Sequence, residues 1–112
     1  MGLTRYFYTD QENPRPMTFE EVKAGVQAVK AVAERRKDEF RVDHLTNTAI
    51  VINVRSDNAV ESFCFEPTKI DGGLFVQEFN YCKTNEYPED EGVREMIGAL
   101  QSAVNNKLHV SD

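Results

Sequence analysis

Two cysteines and two histidines carry most of the reactive chemistry available to this chain: Cys64, Cys82, His44 and His109. A thiol paired with an imidazole becomes a nucleophile when a nearby cation or a helix N-terminus lowers its pKa. Cys82 is followed by Lys83 and stands a few residues before a segment that reads as a helix start. The same stretch holds Glu86, Glu89, Asp90 and Glu91, whose charge opposes a thiolate. A structural strand cysteine is the expectation, and no catalytic residue is assigned.

Metal and cofactor chemistry lack a comparable starting point. His44 and His109 are 65 residues apart, and no CxxC, HxxxH or HExxH spacing occurs. Asp71–Gly72–Gly73 lacks the alternating oxygen ligands of a calcium loop. Neither GxGxxG nor GxxxxGK is present. No metal and no cofactor is expected.

Charge narrows the partners. Acidic residues outnumber Lys and Arg by 19 to 13, a net charge of −6, which repels a phosphate backbone and an anionic membrane alike. The basic cluster Arg35, Arg36, Lys37 and Arg41 falls where a helix should end, a position that favours cations anyway. RNA stacking on a sheet would require Phe63, Phe65 and Phe79 exposed, and they are expected to be buried. The acidic run from Glu86 to Glu95 reads first as a solvated helix start and second as a dock for a basic partner. The longest aliphatic run, Ala49 to Ile52, is too short to span a bilayer, and MGLTRYFY lacks the apolar core of a signal peptide. Tyr6 stands where a myristoylation pattern needs Ser or Thr, so the cytoplasm is the expected compartment.

The elements that must position these residues follow from periodicity. At 112 residues the chain is expected to form a single domain, 1–112, with 40% hydrophobic residues to fill one core. LTRYFYT (residues 3–9) predicts a strand, and the two prolines of DQENPRP end it. Thr18 and Glu21 form a T-x-x-E capping box ahead of a helix over about 18–37, with Phe19, Val22, Val26, Val29 and Ala33 as its apolar stripe. Gly25 inside that helix costs about 1 kcal/mol relative to Ala, a cost that close packing can offset. Phe40–Leu45 and Thr48–Arg55 predict a strand pair across Thr46–Asn47, and Ser56–Asp57–Asn58 a turn. Ala59–Glu66 and Leu74–Lys83 predict two more strands, joined by PTKIDGG with glycine where φ must be positive. Pro88 opens the last helix, whose stripe is Val93, Met96, Ile97, Leu100 and Val104. Asn105 and Asn106 end it, and Leu108 and Val110 offer a closing strand. The order β-α-β-β-β-α, with that candidate terminal β, implies an α+β two-layer sandwich: a mainly antiparallel sheet with two helices on one face.

A register sharpens the expectation. If Glu66 opposes Leu74, then Phe65 faces Phe75 and Phe63 faces Gln77, and these share a face with Phe79 and Tyr81. That aromatic face should lie under the helices. Val60, Ser62, Cys64, Val76, Glu78, Asn80 and Cys82 should occupy the open one. Cys64 would then sit about 20 Å from Cys82, beyond the roughly 7 Å that a disulfide spans.

Phe63-x-Phe65, then Phe79-x-x-Cys82-Lys83-Thr84, a proline, a helix and a terminal Val-Ser-Asp resemble a group of small uncharacterised microbial proteins. Those carry F-C-K-T and then P-Y-D before their last helix, where this chain has YCKT and Tyr87–Pro88–Glu89–Asp90. The resemblance covers the second half of the chain. It implies a shared small α+β domain and assigns no functional residue.

The functional expectation is a small, soluble, non-catalytic protein-interaction module. Its surface would be the open sheet face around Ser62, Glu78 and Asn80, or an edge strand, contacting another protein or a second copy as a homodimer. The alternatives are a small enzyme with a site near Cys82, and an acidic antagonist, of the immunity-protein type, that binds a basic partner through Glu89, Asp90 and Glu91.

Overall fold

The T-x-x-E pattern closes as a capping box. Thr18 Oγ1 accepts from the Glu21 amide at 3.1 Å, and Glu21 Oε1 accepts from the Thr18 amide at 2.9 Å. From there the first helix, α1, runs Phe19–Arg35. The structure is a computed structural model that describes residues 3–55, 61–84 and 88–111; of residues 3, 83, 84, 88 and 89 it describes the backbone alone. The expected turn at Ser56–Asp57–Asn58, the strand start at Ala59 and Val60, and Glu86 and Tyr87 lie outside the described residues.

Nine strands accompany two helices among the described residues. In chain order they are β1 (Leu3–Tyr8), β2 (Met17–Thr18), α1, β3 (Phe40–Leu45), β4 (Ile50–Val54), β5 (Phe63–Phe65), β6 (Thr68–Lys69), β7 (Leu74–Val76), β8 (Asn80–Thr84), α2 (Pro88–Ala103) and β9 (His109–Ser111). All pairings are antiparallel, and they form three small sheets, β8-β1-β9, β2-β7-β6 and β3-β4-β5. The architecture is a compact α+β fold, with the single expected sheet divided into three.

The helical stripes are where periodicity puts them. Val22, Val26, Val29 and Ala33 of α1 are buried, as are Val93, Met96, Ile97 and Leu100 of α2 and Val104 just beyond it. Phe19 is the exception: it is 39% exposed and leans on Phe75. The two helices pack on each other, with α1 also against β3, β4 and β7 and α2 against β8. A Cβ on Gly25 would come within 2.8 Å of Leu100 Cδ1, so the glycine sits at a close approach of the two helices. Asn105 and Asn106 end the last helical segment in the left-handed region, at φ 56° and 57°, where asparagine is tolerated better than most residues. Gly72 and Gly73 supply the positive φ of the β6–β7 turn.

The expected hairpin register is overturned. Among the described residues, the stretch 61–66 does not pair with Leu74–Lys83. Instead β5 pairs with β4, with Ile50 opposite Phe65 and Ile52 opposite Phe63. Residues 74–83 do not form one strand either. β7 pairs with β6 and β2, whereas β8 leaves for β1.

The break falls at Gln77, a buried amide whose backbone and side chain join separate parts of the sheet layer. Its N–H donates to Thr9 Oγ1 at 2.9 Å, and its carbonyl accepts from the Thr9 amide at 2.7 Å. Its Nε2 donates to the Cys64 carbonyl at 3.3 Å, and its Oε1 accepts from the Glu66 amide at 3.2 Å. A buried polar group needs such partners, and meeting them ends the regular ladder. The alternation of faces reverses beyond this point. Phe75 and Gln77 face inward, then Cys82 is buried while Phe79 and Tyr81 are exposed. The aromatic face expected under the helices is therefore split: Phe63, Phe65 and Phe75 are in the core, and the other two rings face outward.

Candidate functional site

Arg5 and Phe7 of β1 point inward and are buried, which sends Tyr6 and Tyr8 to the outer face of the β8-β1-β9 sheet. Pairing places Tyr81 opposite Tyr6 and His109 opposite Tyr8. Phe79 immediately precedes β8 and reaches both β1 tyrosines, with ring centroids 5.3 Å from each. Tyr6 and Tyr81 are 6.3 Å apart, Phe79 and Tyr81 6.5 Å, and Tyr8 and His109 5.0 Å. All are tilted contacts, with interplanar angles of 37–49°, between the stacked and edge-to-face arrangements. Five rings thus form one continuous surface, on which Phe79 is 61% and Tyr81 41% exposed.

The six residues expected to form an interaction surface are held by different partners. Ser62 is half-buried just before β5 and donates to Asn53 Oδ1 of β4. Asn53 in turn donates to Asp43, which also accepts from Arg41 Nε at 2.8 Å. Those two donors hold the Asp43 carboxyl below its ordinary pKa. Asn80 braces the junction between sheets. Its Nδ2 donates to the Cys64 carbonyl at 2.7 Å, and its Oδ1 accepts from the Tyr81 amide at 2.7 Å. Glu78 and Glu91 are exposed. Asp90 is buried against Arg5, with Nη2 to Oδ2 at 2.7 Å. The side chain of Glu89 lies outside the described residues.

Neither thiol is bridged; Cys82 is buried and Cys64 half-buried. Burial, with added effects of Cys64, Glu61 and Asp90, pushes the Cys82 thiol up to about 12. Its Sγ lies 3.2 Å from the Glu61 carbonyl. Burial and Glu66 also raise Cys64. Among the described residues neither thiol bonds to an imidazole: His44 is exposed on β3, and His109 packs on Tyr8. The 20 Å separation fell with the hairpin, because β5 stands beside β8. No three His, Cys, Asp or Glu side chains among the described residues converge as metal ligands. No described helix is long and apolar enough to cross a membrane.

The β3 edge carries a bulge between Val42 and His44, a feature that discourages strand addition. Among the described residues the aromatic face carries the most exposed large hydrophobic side chain, Phe79, with the exposed Tyr81 beside it. Its sequence signal is the alternation Tyr6-x-Tyr8 and Phe79-x-Tyr81. Comparison with protein-family models, with curated proteins and with solved structures finds no match for this chain.

Proposed function

We propose that this chain is a non-catalytic protein-interaction module whose contact surface is the outer aromatic face of Tyr6, Tyr8, Phe79, Tyr81 and His109, and whose partner is an extended, proline-rich segment of another protein that carries basic residues. The observation behind it is the continuity of five rings across three strands, two of them more than 40% exposed. The raised thiol pKa values speak against the rival reading of a cysteine enzyme.

Size favours a peptide over a second copy. Rings of this kind expose on the order of 300 Å² in all, whereas a stable dimer covers about 800 Å² per partner. Adjacent tilted rings suit a polyproline helix, which is extended before binding and so forfeits little entropy. The net charge of −6, with Glu78 exposed beside Phe79, favours basic flanking residues on that segment.

A peptide array tests this, with proline-rich basic, proline-rich acidic and scrambled proline-free sequences probed by wild type and by a Phe79→Ser/Tyr81→Ser variant. The expected result is selective capture of the proline-rich basic set, weakened about tenfold or more in the variant at unchanged melting temperature. Equal capture by the variant overturns the reading. So does a wild-type dimer in sedimentation that the variant abolishes, or tighter binding of oligouridine than of any peptide.

A further inference from the structure

The inner side of the same sheet holds a separate feature. Between β1, β9 and α2 lies an open cavity of about 340 Å³, lined by Arg5, Arg94, Ile97, Gly98, Gln101 and Val110. That volume is at the small end of the range for small-molecule sites.

Its walls are fixed. Arg5 is held by hydrogen bonds to Asp90 at 3.1 and 2.7 Å, which place a carboxylate against its guanidinium. The Gln101 side chain donates to the Leu108 carbonyl at 2.8 Å and accepts from the Leu108 amide at 3.2 Å. Ile97 is buried and Val110 partly buried, and both present apolar surface. Gly98 is exposed at the cavity, and a Cβ there would meet nothing within 4 Å. Arg94 is exposed at the rim and makes no ion pair among the described residues. In a chain of net charge −6 it is a local cation over an apolar cleft.

We propose that this cavity binds a small apolar monocarboxylate, with the carboxylate on the Arg94 guanidinium and the tail against Ile97, Val110 and the open backbone at Gly98. A guanidinium pairs with a carboxylate through two parallel hydrogen bonds, which an alcohol or an amine cannot reproduce. The apolar wall selects against hydrophilic acids. The proposal is independent of the outer aromatic face.

Amide NMR of the full chain tests it, with benzoate as the probe and benzyl alcohol and benzylamine as isosteres. Benzoate should shift the amides of Ile97, Gly98 and Gln101 with saturation in the millimolar range, and the amine should bind about tenfold more weakly or worse. Gly98→Leu should abolish the shifts by filling the cleft, while its own spectrum reports an intact fold. Arg94→Gln should leave benzoate no better than benzyl alcohol. Equal binding of the amine, unchanged binding by Gly98→Leu, or shifts confined to other parts of the chain overturns the site.

Discussion

Arg5 and Asp90 are 85 residues apart in the chain and joined side by side, Nε to Oδ1 at 3.1 Å and Nη2 to Oδ2 at 2.7 Å. The pair ties the inner face of β1 to the first turn of α2, where a carboxylate also complements the macrodipole. It draws Asp90 out of the solvated acidic patch that its neighbours suggest. Removing one member of such a pair takes a compensating charge from a buried ionic group, which costs more than the pair is worth. Asp90→Asn should lower unfolding free energy by about 3 kcal/mol in urea titrations. The double replacement Arg5→Met/Asp90→Leu should cost less than either single change. A double variant that is worse than both singles would contradict this account.

Three glycines on the helices differ in what surrounds them, and stability should follow. A methyl at Gly92 would stand 2.3 Å from Phe40 Cε2 and 2.6 Å from Cζ, inside a buried ring that cannot retreat. Gly92→Ala should therefore cost about 2 kcal/mol through overpacking. Gly98→Ala meets no neighbour and should gain about 0.5–1 kcal/mol from helix propensity. Gly25→Ala meets Leu100 Cδ1 at 2.8 Å, a milder overlap than that at Gly92, and should fall between them. Thermal melts of the three variants give the order directly.

Much of this fold is legible in the sequence because it is local. The Thr18–Glu21 cap, the two helical stripes, the pairing of Phe40–Leu45 with the strand after it and the left-handed asparagines all lie within a few residues of their signals. What is not legible is long-range. LFVQEFNYCK looks like a single strand, because nothing local reveals that Gln77 will bond to Thr9, 68 residues away, and to the Cys64 carbonyl. One buried amide reverses the faces of the strand residues that follow it, as far as Cys82. Phe79 and Tyr81 thereby become surface, and Asn80 a brace. The candidate site was hidden for the same reason: Tyr6 and Tyr8 are an obvious alternation, but the rings that complete their surface come from β8 and β9, at the far end of the chain.

Glu21 should set part of the acid stability. Burial alone would raise its carboxyl, but hydrogen bonds from Lys107, from the Thr18 amide and from Asn105 outweigh it, and the pKa falls from 4.5 to about 2. A carboxylate whose folded pKa is depressed stabilises the fold above its unfolded pKa and loses that contribution as pH falls through the folded one. Glu21→Gln keeps a residue able to accept the capping bond but removes the charge facing Lys107. The variant should be less stable by on the order of 2 kcal/mol at neutral pH. The gap should close between about pH 4.5 and about pH 2. Parallel urea titrations across that range decide it; a gap constant with pH would assign the effect to packing.

The thiols give the sharpest test of the non-catalytic reading. With the Cys82 pKa pushed up to about 12, thiolate at neutral pH is scarce, and the sulfur is 1% exposed as part of its residue. Thiolate is the reactive form, so both scarcity and burial slow attack. Cys64 is half-buried and also raised, so it should react slowly but first. Alkylation with iodoacetamide at neutral pH, read by mass spectrometry, should label Cys64 more slowly than free cysteine and leave Cys82 unmodified. In moderate urea, Cys82 labelling should rise in step with the unfolded fraction, because its neighbours must open before the reagent can enter. A Cys82 that alkylates in the native chain as fast as a model thiol would restore the enzyme reading, since a lowered pKa is the one property that a cysteine nucleophile cannot do without.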